Sequence, residues 1–187
     1  MNDSQSVEFT AFIGLRRLAS GPLDVVALAA KKAIDHGARQ PVLIYSDSTG
    51  RAIDIDNRGS DAEILARLAR PAPPPPPRGR GRPKLGVVAR EVTLLPRHWQ
   101  WLGSQPGGAS VAIRKLVETA RRANQETDQR RQKQEAAYHF MSAMAGNLPN
   151  FEEAARALFA NDRARFHELV AGWPGDVRDH STKLAFA

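Results

Sequence analysis

PVLIYSDSTGRAIDI, residues 41–55, contains the clearest hairpin signal in the sequence. Two apolar runs, residues 41–45 and 51–55, lie on either side of the turn sequence DSTG, residues 47–50. Runs of β-branched and aromatic side chains separated by turn-forming residues are typical of two antiparallel strands. We therefore predict a β-hairpin at this position.

The sequence before this hairpin predicts another hairpin and then a helix. Residues 7–13 alternate loosely between polar and apolar side chains, and a second short run, residues 15–19, follows Gly14. After Pro22, apolar positions recur at helical spacing until Gly37, and glycine commonly follows the last residue of a helix. The predicted order up to this point is strand, strand, helix.

A second helix is predicted directly after the hairpin of residues 41–55. Ser60 and Glu63 have the spacing of a capping box, in which each residue satisfies a backbone N–H at the start of a helix. We therefore predict an α+β protein that begins with a ββαββα domain at residues 7–70. Residues 1–6 are expected to be a disordered tail.

Composition limits the class of protein. The chain has 187 residues, of which 42% are hydrophobic and 6% aromatic, so it can build compact cores but not one large core. It contains no cysteine, which excludes disulfides, thiolate nucleophiles and cysteine-based zinc or iron–sulfur sites. No apolar run approaches the ~20 residues of a membrane span, and residues 1–7 lack the pattern of a signal peptide. We expect a soluble, cytoplasmic protein without a membrane partner.

Basic residues are concentrated in the middle third of the chain. Residues 71–135 carry 13 basic and 5 acidic side chains, a net charge of +8. Residues 1–70 have a net charge of 0, and residues 136–187 have a net charge of −1. A basic segment between two nearly neutral ones is typical of a nucleic-acid-binding protein whose other parts do something else. A solvated hinge is the alternative interpretation.

Residues 71–86 form a proline-rich linker that carries much of this charge. Five consecutive prolines, which favour polyproline II, are followed by the basic sequence RGRGRPK, residues 78–84. This sequence resembles an AT-hook, a short segment that binds the minor groove of A·T-rich DNA. The resemblance implies that Arg80, Gly81 and Arg82 enter the groove.

A narrow minor groove explains why these residue types suit the hook. Glycine lets an extended backbone lie deep in a groove about 6 Å wide, and arginine is attracted to the negative potential of its floor. Arg78 and Lys84 are expected to contact phosphates. Gly79 stands where the usual hook has a proline, which lowers the expected affinity. A charged linker, or a polyproline ligand for an aromatic groove, are the alternatives.

Residues 87–124 resemble the ribbon-helix-helix DNA-binding fold. A short strand at residues 87–95 precedes a helix that starts at Pro96, and a longer helix starts near Ser110 and ends near Asn124. The resemblance implies a homodimer whose paired strands enter the major groove. It also implies phosphate contacts at Arg97 and Ser110, the latter through backbone N–H groups at the helix start. The core expected between the chains is Trp99, Leu102, Ile113, Leu116 and Val117.

The strand can be placed in either of two phases. Aligning Pro96 with the helix start of the family directs Arg90 toward DNA, whereas the apolar pattern directs Thr93 toward DNA. Both residues are therefore candidate base readers in the major groove. An ordinary helical hairpin after an extended segment is the alternative to the dimeric fold.

The remaining residues, 125–187, are predicted to be a helical region. A polar stretch is followed by helices at residues 138–144, 151–159, 162–170 and 176–184.

Over its full length the chain resembles a bacterial family called domain of unknown function 2239. The sequences that carry the resemblance are FTAFIG (9–14), RLASG (17–21), VTLLPRHW (92–99), FMSAMAG (140–146) and WPGDVRDH (173–180). The resemblance implies the domain layout and a bacterial origin, and it brings no known activity.

No pattern in the sequence indicates an enzyme. The five histidines are scattered without metal-ligand spacing, and no nucleophile elbow, dinucleotide or phosphate-binding loop is present. Asp54 and Asp56 would share one face of a strand, which suits a metal but is more typical of a solvated face. We expect no catalytic residue, no metal site and no cofactor.

The sequence thus predicts a DNA-binding protein, either a transcriptional regulator or a nucleoid-associated factor. Double-stranded, A·T-rich DNA is the expected ligand. One alternative is a protein-interaction adaptor that binds a partner through residues 7–70 or 136–187. Another is an RNA-binding protein, because arginine-glycine segments also bind RNA.

Overall fold

The computed structural model describes residues 7–69, 88 and 90–187. The predicted tail at residues 1–6 and the whole of the predicted linker at 71–86 lie outside this range.

The N-terminal part of the chain forms a four-stranded antiparallel sheet with two helices. The strands are arranged in the order β2-β1-β3-β4. Thr10 of β1 pairs with Tyr45 of β3, and Ala11 pairs with Ile44. The predicted ββαββα order is confirmed, with bounds β1 Phe9–Ile13, β2 Arg16–Gly21, α1 Leu23–Asp35, β3 Val42–Ser46, β4 Ala52–Ile53 and α2 Asp61–Leu68.

Local signals at the helix starts behave as predicted. The Ser60 hydroxyl accepts a hydrogen bond from the backbone N–H of Glu63 (3.3 Å), and the Glu63 carboxylate accepts one from the backbone N–H of Ser60 (2.7 Å). This reciprocal capping box satisfies two donors that α2 leaves unpaired. Pro22 occupies the N-cap position of α1.

Strand β4 is shorter than the sequence indicates. It ends at Ile53, so Asp54 and Asp56 lie beyond it and the prediction that they share a strand face is wrong. The Asp56 carboxylate instead accepts hydrogen bonds from the backbone N–H (3.1 Å) and Nε (2.9 Å) of Arg58. These bonds hold the pKa of Asp56 at about 2.

The rest of the described chain is mostly helical. Its helices are α3 Pro96–Gly103, α4 Gly108–Ala145, α5 Phe151–Phe159, α6 Arg163–Val170 and α7 Gly175–Phe186. The prediction that a helix ends near Asn124 is wrong, because α4 runs unbroken for 38 residues. The polar stretch 125–135 contains no glycine or proline to end it, and ion pairs such as Arg131–Asp128 (3.0 Å) support it.

The predicted strand at residues 87–95 is absent from the described part of a single chain. Val88 and residues 90–95 belong to neither a helix nor a strand. A ribbon strand would pair with the same strand of a second chain, so the ribbon stays a prediction.

The chain divides into two compact units. One lies within Met1–Arg70 and Asp128–Ala187, and the other lies within Pro71–Thr127. The first unit therefore combines the N-terminal sheet with the C-terminal helices.

The core of the first unit lies on both faces of the sheet. On one face Ala11 and Ile44 pack against Val26 and Ala30 of α1. On the other face Phe12 and Tyr45 pack against residues of α4, α5, α6 and α7. Because side chains alternate between the faces of a strand, neighbouring residues of β1 and β3 contribute to opposite layers.

A glycine allows the hairpin turn to approach α4. Gly50 follows β3 with φ +65°, and a Cβ added to it would lie 1.7 Å from the carbonyl oxygen of Ala136 on α4. Gly37 has a similar φ of +78°, but no atom lies within 4 Å of its would-be Cβ. The two positions separate the effect of backbone conformation from the effect of close packing.

We expect Gly50→Ala to lower the free energy of unfolding by about 3 kcal/mol, the sum of left-handed strain and forced displacement of backbone. Gly37→Ala, which imposes only the strain, should cost about 1 kcal/mol. Urea denaturation of both variants measures the difference. Equal losses would contradict the close approach of the turn to α4.

Candidate functional site

The first half of α4 carries a basic surface. Arg114, Lys115, Arg121 and Arg122 are exposed, and the two pairs are seven residues apart, which places them on one side of the helix. Glu118 lies between the pairs and accepts hydrogen bonds from Arg121 (2.9 and 3.0 Å) and from Arg122 (2.8 Å). These bonds hold the pKa of Glu118 at about 2, so it stays ionised and fixes both guanidinium groups.

Apolar side chains of the same segment are exposed. Leu116 is 51% exposed and Val117 is 60% exposed. Trp99 and Trp101 of α3 are 43% and 52% exposed, whereas Leu102 is buried. Four of the five residues predicted to form the core of a dimer are therefore not buried within one chain, so a second chain could contact them. These residues are Trp99, Ile113, Leu116 and Val117.

The structure places only some of the predicted DNA-binding residues. Arg90 and Thr93 are exposed in the segment before α3, Arg97 is exposed at the second position of α3, and Ser110 is exposed in the first turn of α4. Arg114 Nε donates a hydrogen bond to the carbonyl oxygen of Ser110 (3.0 Å). The hook residues Arg78, Gly79, Arg80, Gly81, Arg82 and Lys84 lie outside the described residues.

A second candidate region is a polar network in the first unit, centred on Asp47. This residue follows β3, and its side chain is 10% exposed. Its carboxylate accepts hydrogen bonds from Thr10 Oγ1 of β1 (2.9 Å) and from Lys183 Nζ of α7 (3.0 Å). Lys183 also donates to Glu8 (2.8 Å). Burial alone would lower the pKa of Lys183, but its bonds to Glu8 and Asp47 raise it overall.

His180 lies behind this network and is fully buried on α7. Its ring packs edge-on against Phe140 (4.6 Å between centroids) and Phe12 (5.5 Å). Its Nε2 lies 3.6 Å from Asp47 Oδ1, and neither ring nitrogen has a hydrogen-bond partner among the described residues. Burial lowers the pKa of His180 to about 4, although the nearby Asp47 carboxylate opposes the shift. The imidazole is therefore neutral at pH 7.

The Asp47 network borders a cleft of about 720 Å³ that is lined by the two residues before β1, the β3–β4 turn, α4 and α7. Charged groups of both signs and amide groups line it together with the apolar side chains of Val7, Ala136 and Leu184. The polar lining residues are Glu8, Asp47, Ser48, Gln129, Gln132, Lys133 and Lys183.

Within residues 7–69 and 90–187, no three acidic or histidine side chains cluster as metal ligands. In the same described residues, no helix is long and apolar enough to cross a membrane.

The family model described as "uncharacterized protein conserved in bacteria (DUF2239)" matches residues 8–185. The chain belongs to this family. The match includes residues of both compact units and is not confined to the basic segment. No curated protein and no solved structure matches the chain.

Sequence reasoning missed the Asp47 network in this family member. It treated Asp47 as a turn residue and His180 as one of five scattered histidines. The available signal was Thr10, a polar residue at the centre of an apolar strand, whose burial requires a partner. That signal does not identify Lys183, which is 136 residues from Asp47.

We expect the protein to lose stability as the pH falls from 6.5 toward 4. In this range the unfolded chain protonates His180, whereas the folded chain keeps the ring neutral, so the free energy of unfolding decreases with a slope of up to about 1.4 kcal/mol per pH unit. Urea denaturation at several pH values measures the slope. His180→Phe, which preserves the ring packing, should remove this contribution.

The NMR signal of the His180 ring provides a check that does not depend on the variant. Its chemical shift should stay constant from pH 8 to about pH 5. A titration near pH 6.5 would contradict the buried neutral state.

Proposed function

We propose that this protein binds double-stranded, A·T-rich DNA as a homodimer and acts as a transcriptional regulator or nucleoid-associated factor. The observation that carries the proposal is the charge of residues 71–135, which is +8 in a chain whose flanking regions are at 0 and −1. A polyanion is the ligand that such a segment attracts most strongly.

The basic surface of α4 supports this proposal among the described residues. Arg114, Lys115, Arg121 and Arg122 project from one side of a regular helix, where they can follow a row of phosphates. Glu118 reduces the net charge of this surface but also orders two guanidinium groups. We assign the surface to backbone contacts, which give affinity without reading sequence, together with Arg97 and the helix start at Ser110.

The hook sequence supplies the preference for A·T-rich DNA in this proposal. Arg80 and Arg82 would insert into the minor groove on either side of Gly81, with Arg78 and Lys84 on phosphates. In the major groove, Arg90 or Thr93 would read bases from the paired ribbon. Tethering the two elements in one chain raises their effective concentration, so that two weak contacts combine into useful affinity.

Exposed apolar side chains support the dimer. Within the described part of Pro71–Thr127, only Leu102 and Ala112 are buried hydrophobic residues, which is too small a core for an independent unit. Trp99, Leu116 and Val117 offer the additional apolar area. A second copy is the partner that the ribbon-helix-helix pattern requires, since its strands and helices complete one shared core.

We expect Arg80→Ala/Arg82→Ala to weaken binding to an A·T-rich duplex by at least about tenfold and to affect a G·C-rich duplex less, because only the narrow groove accepts the arginines. Arg163→Ala/Arg165→Ala, on α6, removes the same charge outside the basic third and serves as the control. Fluorescence anisotropy measures both. Equal losses on the two duplexes would argue against groove insertion.

Salt dependence tests the electrostatic part of the proposal in the same assay. If the dimer contacts about eight phosphates, the logarithm of the DNA-binding constant should fall with the logarithm of the salt concentration at a slope near −7. A nearly flat slope would contradict binding driven by phosphate contacts. If single-stranded RNA competes for binding as effectively as duplex DNA does, the protein is an RNA-binding protein instead.

We expect Leu116→Asp/Val117→Asp to convert the dimer into a monomer, because two charges would have to be buried at the interface. Val25→Asp, at a 52% exposed position on α1, is the matched control and should leave the mass unchanged. Light scattering after size-exclusion chromatography measures the mass. A wild-type protein that is monomeric at all concentrations would rule out the ribbon, even if DNA binding persisted.

A further inference from the structure

Three aromatic rings cluster on the surface of the first unit. Tyr138 of α4 lies 6.3 Å from Phe151 and 5.5 Å from Phe159, both on α5, measured between ring centroids. Tyr138 is 36% exposed and Phe159 is 52% exposed, while Phe151 packs partly against the core. We call these three residues the aromatic surface.

The aromatic surface differs from an isolated exposed apolar residue because it contains three rings. Single exposed apolar residues are common, but here three neighbouring rings from two helices form one apolar area on the surface. Proline-rich segments are recognised by surfaces of this type, because a polyproline II helix is already ordered and its rings pack against aromatic side chains.

Acidic side chains flank the aromatic surface. Glu152 is next to Phe151 at the start of α5 and is exposed, and in the described part of the chain its carboxylate forms no hydrogen bond or ion pair. Glu135 precedes Tyr138 by almost one turn of α4, and its nearest cationic group is Arg131 Nε at 3.9 Å. A ligand that combines prolines with a cationic residue would satisfy both the rings and the carboxylates.

We propose that the aromatic surface binds the proline tract of a second copy of this chain, PPPPPR at residues 73–78. The five prolines supply the rings that pack against Tyr138 and Phe159, and Arg78 supplies a guanidinium for Glu152. Charge complementarity and the presence of a fitting ligand in the same chain favour a second copy over an unrelated partner. This contact does not depend on DNA binding, and it competes with DNA only for Arg78.

Binding of a synthetic peptide to the full chain tests the proposal in the absence of DNA. A labelled peptide of residues 71–78 should bind saturably in a fluorescence anisotropy titration, and Tyr138→Ala or Phe159→Ala should weaken it about tenfold or more. Val25→Ala, at a similarly exposed apolar position on α1, should have no effect. A peptide with alanine in place of Pro73–Pro77 should not bind.

A double-mutant cycle on the predicted ion pair tests the proposal even if an aromatic variant fails to fold. Glu152→Gln in the protein and Arg78→Ala in the peptide should each weaken binding, and the two changes together should cost little more than either alone. Additive effects would overturn the assigned pair. Absence of saturable binding, or equal binding of a proline-rich peptide without arginine, would overturn recognition of the chain's own tract.

Discussion

The packing of four rings holds together the two ends of the chain. Phe12 of β1 and Tyr45 of β3 contact Phe140 of α4 at centroid distances of 5.2 and 5.1 Å, and His180 of α7 packs against Phe140 at 4.6 Å. Each such pair contributes roughly 1 kcal/mol beyond the burial of its area. Bringing Phe12 and His180 together closes a long segment of the chain. The entropy lost on closing a segment rises only slowly with its length, so a few well-packed rings suffice to keep the two elements together.

The polar groups beside these rings fix how α7 lies on the sheet. Asp47 is nearly buried, and its carboxylate accepts hydrogen bonds from both Thr10 and Lys183. A shift of α7 would take the Lys183 ammonium away from that carboxylate and leave it nearly buried with the Thr10 hydroxyl but without this counter-charge, which costs more than a lost apolar contact. His180 lies among the rings and has no such partner in the part of the chain that the structure describes, and burial keeps it neutral by lowering its pKa to about 4. The network therefore specifies one arrangement of α7, at the cost of tolerating an unpaired imidazole.

Local structure was predictable from the sequence, whereas the shared core was not. The hairpin at residues 41–55 and the capping box at Ser60 follow from turn and cap chemistry that acts within a few residues. The association of β1 with α7 depends on contacts between residues more than 100 positions apart, which no local periodicity encodes. Helix α4 is an intermediate case, because its polar middle has no apolar stripe and only the absence of a breaker indicates that it continues. The Asp47 network was missed for the same reason as the core, since its members come from β1, a turn and α7.

The continuity of α4 links the stability of the core to the order of the basic surface. Helices in proteins draw most of their stability from packing rather than from their own sequence, because nucleation costs entropy that the first hydrogen bonds do not offset. In α4 the C-terminal residues Ala137, Phe140 and Met141 are buried in the core, so nucleation is already complete and each preceding residue adds a hydrogen bond at low cost. Repulsion among Arg114, Lys115, Arg121 and Arg122 opposes this propagation, and Glu118 offsets part of it. The charged helix is therefore ordered by residues that lie far along the same helix.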